Sequence, residues 1–274
     1  MPKNLSQHDA AQLALRCLDL TSLNDADTEA DITALCQRAQ TPFGPVAAVC
    51  VWPRFVAQAR SLLPPSVRVA AVANFPDGAL DLTRALADVR QITAGGGDEV
   101  DVVLPYRTLM EARSSEQGYK PRQLDPVQAC TDFLGQVRTA CGHLTLKVII
   151  ESGELHSPDL ITQTTQLAIA AGADFVKTST GKTAVSATLD ASAVMLRAIA
   201  ASGSTTVGFK ASGGIRTVHD AKSYLALVAE VLGTSALTPQ RFRFGASGLL
   251  TDIEAVLGGT TATPSSTTPP SGRY

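Results

Sequence analysis

The chain has 274 residues, 45% of them apolar, and a formal net charge of −2. That apolar content can bury a sizeable core and excludes a largely disordered chain, while the balanced charge, with no long run of lysine or arginine, argues against nucleic acid or a membrane as partner. A small-molecule ligand is the expected partner.

Read from the N-terminus, MPKNLSQHDA lacks the apolar stretch of a signal peptide, and runs such as VAAVCVW are too short to span a bilayer, so a cytoplasmic location is expected. A helix is expected from Ser6, then a short strand around Cys17 to Thr21. Thr28 to Gln40 opens on a Thr-x-x-Asp capping pattern and reads as a helix. VAAVCV is strand-like, and Pro53 opens the next helix because proline suits a first helical turn. RVAAVANF follows as a strand, then a helix from Leu80 to Ala94 stopped by the glycine run 95–97. The strand DEVDVVLPY precedes a helix from Leu124 to Cys141, and LTLKVIIES precedes one from Pro158 to Ala171. ADFVKTST leads to a helix from Ala187 to Ser202, TTVGFKAS to one from Thr217 to Leu232, and RFRFGAS is the last strand.

The strands are nearly continuous apolar runs, as expected where helices cover a parallel sheet. Eight strands, each followed by a helix, define an α/β fold, a single-domain (β/α)8 TIM barrel over 1–258 with an added N-terminal helix. An open doubly wound sheet is the competing architecture. Residues 259–274, GTTATPSSTTPPSGRY, are Ser/Thr/Pro-rich and read as a disordered tail.

Functional groups of such barrels gather at the C-terminal strand ends, where the polar residues are Asp19, Cys50, Asn74, Asp101, Lys147, Glu151, Lys177 and Lys210. Lys177 and Lys210 fall in the adjacent sixth and seventh strands, directed at one cavity. Two ammonium groups in a partly desolvated pocket repel, so one of them should have a lowered pKa and serve as a nucleophile toward carbonyls. Asp101 would hold the other as an ammonium and help move protons. A structural ion pair at the barrel mouth, with the second lysine solvated, is the plainer alternative.

The turns SGGIR and GASG follow strands seven and eight and lead into helices, an arrangement whose backbone N–H groups suit a phosphate. No nucleotide motif accompanies them: Val176 stands where a Walker loop ending in GKT would need its first glycine. Five cysteines (Cys17, Cys36, Cys50, Cys130, Cys141) without a CxxC pair, and four scattered histidines, predict reduced thiols and no metal site.

With these residues assembled, the stretches LDLTSLN, VCVWPRF, DEVDVVLPYR, KVIIESGEL, GADFVKTSTGK, VGFKASGGIRT and RFGASGLL occur in the order found in one family. The sequence resembles the deoxyribose-phosphate aldolases, class I, metal-free lyases that cleave 2-deoxy-D-ribose 5-phosphate in deoxyribonucleotide catabolism, and the likeness covers nearly the whole chain. It implies that Lys177 forms the Schiff base, with Lys210 and Asp101 lowering its pKa and relaying protons. It places the phosphate at Gly181, Lys182, Gly213, Gly214, Ile215, Arg216, Gly245 and Ser247, with Gly248 beside them, and counts Thr180 among the substrate-binding residues. Here the sequence departs from the family: GASG replaces the usual GASS, so Gly248 offers only its backbone N–H, and KASGG replaces the usual KPAGG. Asp19, Thr21, Leu23 and Cys50 correspond to the substrate pocket near strand one, with packing as their alternative role. Tyr274 matches family members whose tail ends in a tyrosine that assists proton transfer. No cofactor is implied, the partners are phosphosugar and aldehyde, and a homodimer is the expected assembly. A non-catalytic phosphosugar-binding barrel, a different Schiff-base aldolase, a metal-dependent aldolase and a pyridoxal-phosphate enzyme are the other readings.

Overall fold

The computed structural model describes residues 5–114 and 125–259. Eight parallel strands form its centre: β1 Leu18–Thr21, β2 Ala48–Val51, β3 Arg68–Ala73, β4 Glu99–Val103, β5 Thr145–Ile149, β6 Phe175–Lys177, β7 Gly208–Ser212 and β8 Phe242–Ala246. Each pairs with its neighbours in sequence, and β1 pairs with β8 to close the barrel. Around it lie α1 Gln7–Arg16, α2 Glu29–Arg38, α3 Val56–Leu62, α4 Leu82–Ala94, α5 Tyr106–Ser114, α6 Pro126–Cys141, α7 Pro158–Ala170, α8 Leu189–Ala201, α9 Val218–Leu232 and α10 Leu249–Leu257. The expected tail from residue 260 onward, with Tyr274, lies outside the described residues.

Local chemistry sets the helix starts. Ser6 caps α1 by accepting from the Asp9 N–H, and reciprocal capping boxes, Thr28 with Asp31 and Thr217 with Asp220, open α2 and α9. Every residue of β1, β2, β4, β7 and β8 is buried, because one face meets the helices and the other the barrel interior. This is why no alternation of apolar and polar residues marks those strands.

Several boundaries differ from the sequence reading. The strand read through Tyr106 ends at Val103, since Pro105 cannot continue a ladder and instead leads into α5, a helix the sequence reading did not contain. Pro53 opens a 3-10 turn, Pro53–Phe55, before α3 begins. Asp81 and Thr188 act as caps, so α4 and α8 start two residues later than read, at Leu82 and Leu189.

The lower barrel is filled by Phe175, whose ring lies 5.7 Å from the Arg243 guanidinium. Its space exists because β7 begins with glycine: a Cβ at Gly208 would stand 2.4 Å from the Phe175 ring and 2.9 Å from the Arg241 carbonyl oxygen. Close packing leaves no room to relax that overlap cheaply. Gly208→Ala is therefore expected to cost about 1–3 kcal/mol, read as a lower urea midpoint with an unchanged m value.

Candidate active site

Period-two alternation brings charge to the barrel axis. Glu99 and Asp101 are two residues apart on β4, and adjacent-strand register sets Asp101 beside Lys147, Lys177 beside Lys210, and Lys210 beside Arg243. All of these side chains point inward and meet. Asp101 Oδ2 accepts from Lys177 Nζ at 2.9 Å and from Lys210 Nζ at 2.7 Å, while its Oδ1 accepts from Lys147 Nζ at 2.9 Å. Asp19 Oδ2 accepts from Lys210 at 2.5 Å, and its Oδ1 accepts from Arg243 at 2.5 Å. Glu99 accepts from Lys147 and, at 2.9 Å, from Arg243 Nη2.

Asp19, Asp101, Lys147 and Lys210 are 0% exposed and Lys177 is 1% exposed, so these ions depend on one another for the stabilisation that water would give. Burial pulls Lys210 toward the neutral form, but Asp101 and Asp19 outweigh it and hold its pKa above the ordinary lysine range. Lys147 is likewise held up against burial by Asp101, Glu99 and Asp19. Lys177 goes the other way. Burial, reinforced by the Lys210 ammonium, outweighs Asp101 and lowers its pKa. Asp101 itself is held well below the usual carboxylate range: burial opposes this, and Lys147, Lys177 and Lys210 together prevail.

The pocket wall follows from the same strands. Cys50 is fully buried beside the lysines, its thiol raised to about 11 by burial and by Asp101, and hence neutral. Glu151, just past β5, adopts a left-handed φ of 51° and accepts from the Thr180 N–H at 3.2 Å, from the Thr180 hydroxyl at 2.5 Å and from the Thr183 hydroxyl at 3.2 Å. Burial raises its pKa. These bonds fix the TSTGK loop directly above Lys177. The Lys182 ammonium reaches across to the Leu23 carbonyl at 2.8 Å, tying that loop to the end of β1. Thr21 donates to the Asp19 carbonyl at 2.9 Å.

Glycines form the rest of the mouth. Gly181, Gly213 and Gly214 have φ values of 81°, 85° and 83°, which other residues rarely adopt. A Cβ at Gly213 would stand 2.6 Å from Ser186 Oγ and 3.4 Å from Gly181 Cα, so the turns after β6 and β7 touch through backbone. Gly245 is needed lower down, where a Cβ would lie 3.0 Å from Lys210 Cε. Ile215 is buried under the turn after β7, whereas Arg216, Ser247 and Gly248 are exposed. Gly248 caps α10 without a side-chain hydrogen bond, leaving N–H groups of that first turn for another acceptor.

The sequence-selected groups Lys177, Lys210, Asp101 and Asp19 thus meet in one network, but Asp19 is fully buried and committed to ion pairs with Lys210 and Arg243. Sequence reasoning gave no role to Glu99, Arg243, Lys147 or Glu151. Alternation in DEVDV and RFRFG carries the signal for the first two, since each lies two residues from an inward-facing position.

A closed parallel barrel with charged side chains gathered at its axis and backbone-lined turns at the C-terminal ends of its strands has the architecture of a (β/α)8-barrel enzyme. The chain belongs to the DeoC/LacD family of aldolases, whose model matches residues 13–251. It is 46% identical over 254 residues to the deoxyribose-phosphate aldolase of Agrobacterium fabrum, a match covering 92% of this chain and 93% of that one. Among solved structures, the tetrameric deoxyribose phosphate aldolase from Aeropyrum pernix superposes with a TM-score of 0.68 at 25% identity, covering 92% of both chains. A Toxoplasma gondii protein in its apo form superposes with a TM-score of 0.81 over 94% of this chain and 99% of its own, a likeness of fold at 22% identity.

Because Asp101 accepts from three buried lysines and is the shared partner of the network, Asp101→Asn is expected to cost about 3–5 kcal/mol at neutral pH. The native pKa of Asp101 is below its unfolded value near 3.9. Its contribution is therefore complete above about pH 4 and lost as the pH falls through the native value. Urea titrations at stepped pH should show a smaller acid-side decline for the variant than for the wild type.

Proposed function

We propose that the chain is a deoxyribose-phosphate aldolase that cleaves 2-deoxy-D-ribose 5-phosphate reversibly through a Schiff base at Lys177. One observation carries the reading: of the cations meeting at the barrel axis, Lys147, Lys210 and Arg243 are held above their ordinary pKa and Lys177 alone is held below it. A free amine beside an ammonium is what addition to an aldehyde requires.

The Lys177 nitrogen adds to the C1 aldehyde, and loss of water leaves an iminium. The C3 hydroxyl gives up its proton, C3 becomes a carbonyl, and the C2–C3 electron pair flows into the iminium to form an enamine. D-glyceraldehyde 3-phosphate leaves. Protonation of the enamine carbon and hydrolysis by water release acetaldehyde and restore the amine. Asp101 Oδ2, shared by Lys177 and Lys210, gives protons a route between the two nitrogens.

The phosphate belongs, in this reading, at the turns holding Gly181, Gly213, Gly214 and Gly248, where left-handed glycines and the uncapped start of α10 present backbone N–H groups. No cofactor is required by these steps. All five cysteines are free and buried, which supports a reducing, cytoplasmic setting, and no helix among the described residues is long and apolar enough to cross a membrane. A homodimer remains part of the proposal, to be read by sedimentation.

Borohydride added with acetaldehyde should leave a reduced adduct that mass spectrometry maps to the peptide containing Lys177, with none in Lys177→Met. Its absence from the wild type would defeat the reading. A Cβ at Gly248 meets nothing within 4 Å and its φ of −91° suits any residue, so Gly248→Ser should fold normally. One added hydroxyl contact to an anion should lower KM for the phosphorylated sugar by about fivefold or more, with no change for unphosphorylated deoxyribose.

A further inference from the structure

The buried network contains an unequal number of charges. Lys147, Lys177, Lys210 and Arg243 are four potential cations, and Asp19, Glu99 and Asp101 are three carboxylates. With every group ionised the barrel axis would carry one uncompensated positive charge away from water. Release of one proton balances it.

Arg243 cannot be the group that releases it, since a guanidinium stays protonated in proteins. It is also placed first in line for the anions. Its Nη1 takes Asp19 Oδ1 and its Nη2 takes Glu99 Oε1, while Nε donates to the Pro239 carbonyl below the barrel. Asp19 and Glu99 must then divide their charge between Arg243 and the lysines Lys210 and Lys147. Those two lysines consequently draw on Asp101, and Lys177 is left with a third share of a single carboxylate.

We infer that Arg243 is a positioning residue for the aldol reaction: by giving the axial network its fourth cation, it leaves Lys177 as the member that goes without a proton. The inference rests on the Schiff-base reading of Lys177. Arg243 sits at the base of β8, two residues before Gly245, and is only 5% exposed, so it acts through Asp19 and Glu99 and not on substrate. The other groups facing Lys177 are Cys50 on β2, a neutral thiol, and Glu151 beyond β5, whose carboxyl is taken up by the Thr180 and Thr183 donors and, among the described residues, makes no ion pair with the axial network. Cys17, next to Arg243, is raised to about 12 and neutral as well. Neither thiol changes the count.

Opposite variants test the count. The rate of borohydride-trapped adduct formation with acetaldehyde is measured against pH on the full-length protein. Arg243→Met removes a cation, so Lys177 should keep its proton more readily and the half-maximal pH should rise by about one unit. Glu99→Gln removes an anion and should move it down by a similar amount. The double variant restores the imbalance of one charge, and Arg243→Lys preserves it; both should return the midpoint to near the wild-type value. A midpoint that stays fixed in the single variants, or moves the same way in both, overturns the inference. Should Arg243→Met fail to fold, Glu99→Gln and the double variant still give the sign and the cancellation. Failure of the wild type to form any adduct at Lys177 would instead defeat the Schiff-base reading itself.

Discussion

Asp101 accepts hydrogen bonds from three lysines at once, and the rest of the site depends on that carboxylate. Charges removed from water must be paired, and the penalty for leaving one unpaired is large enough to shift a pKa before it is tolerated. Asp101 cannot satisfy three ammonium groups fully. Lys147 and Lys210 have second carboxylates in Glu99 and Asp19, whereas Lys177 has none among the described residues. The competition is decided by those extra partners, and Lys177 is the lysine whose hold on its proton is weakened.

A parallel barrel suits this arrangement because it turns neighbouring strands into a ring of inward-facing positions a few ångströms apart. Most such interiors are layers of branched aliphatic side chains. Here long cationic side chains take their place, and small residues on the adjoining strands make room: Gly245 clears the path of Lys210, and Gly208 clears that of Phe175. The ionic layer is in turn set on an aromatic one, with Phe175 beneath Arg243. Stability and chemistry share the same atoms, so the site cannot be altered without touching the core.

Above the ionic layer the loops after β5 and β6 are pinned together by Glu151, Thr180 and Thr183, and Lys182 ties them to the end of β1. These contacts join strands far apart in sequence around the mouth of the cavity. The turns after β7 and β8 contribute backbone instead of side chains, which fits an anion held by N–H groups at the rim and a covalent step at the floor. Gly248 is where this chain relies most on backbone alone.

The regular recurrence of apolar runs and capping signals made the eight-strand barrel legible in the sequence, because strand burial and helix capping are set by residues within a few positions of one another. Lys177, Lys210 and Asp101 were legible for a related reason: a charged residue within an apolar strand is anomalous where it stands. The start of α5 was hidden because DEVDVVLPY carries β-prone residues up to the proline that ends it. Glu99 and Arg243 were hidden more deeply, since at the beginning of a strand a charge looks like ordinary solvent exposure. Only closure of the barrel, which sets β4 and β8 across a common axis, shows that both are buried and paired to each other. The sequence by itself thus determined which groups were available and in what order; the tertiary structure decided which lysine lacks a second partner, because pairing depends on distance through space and not along the chain.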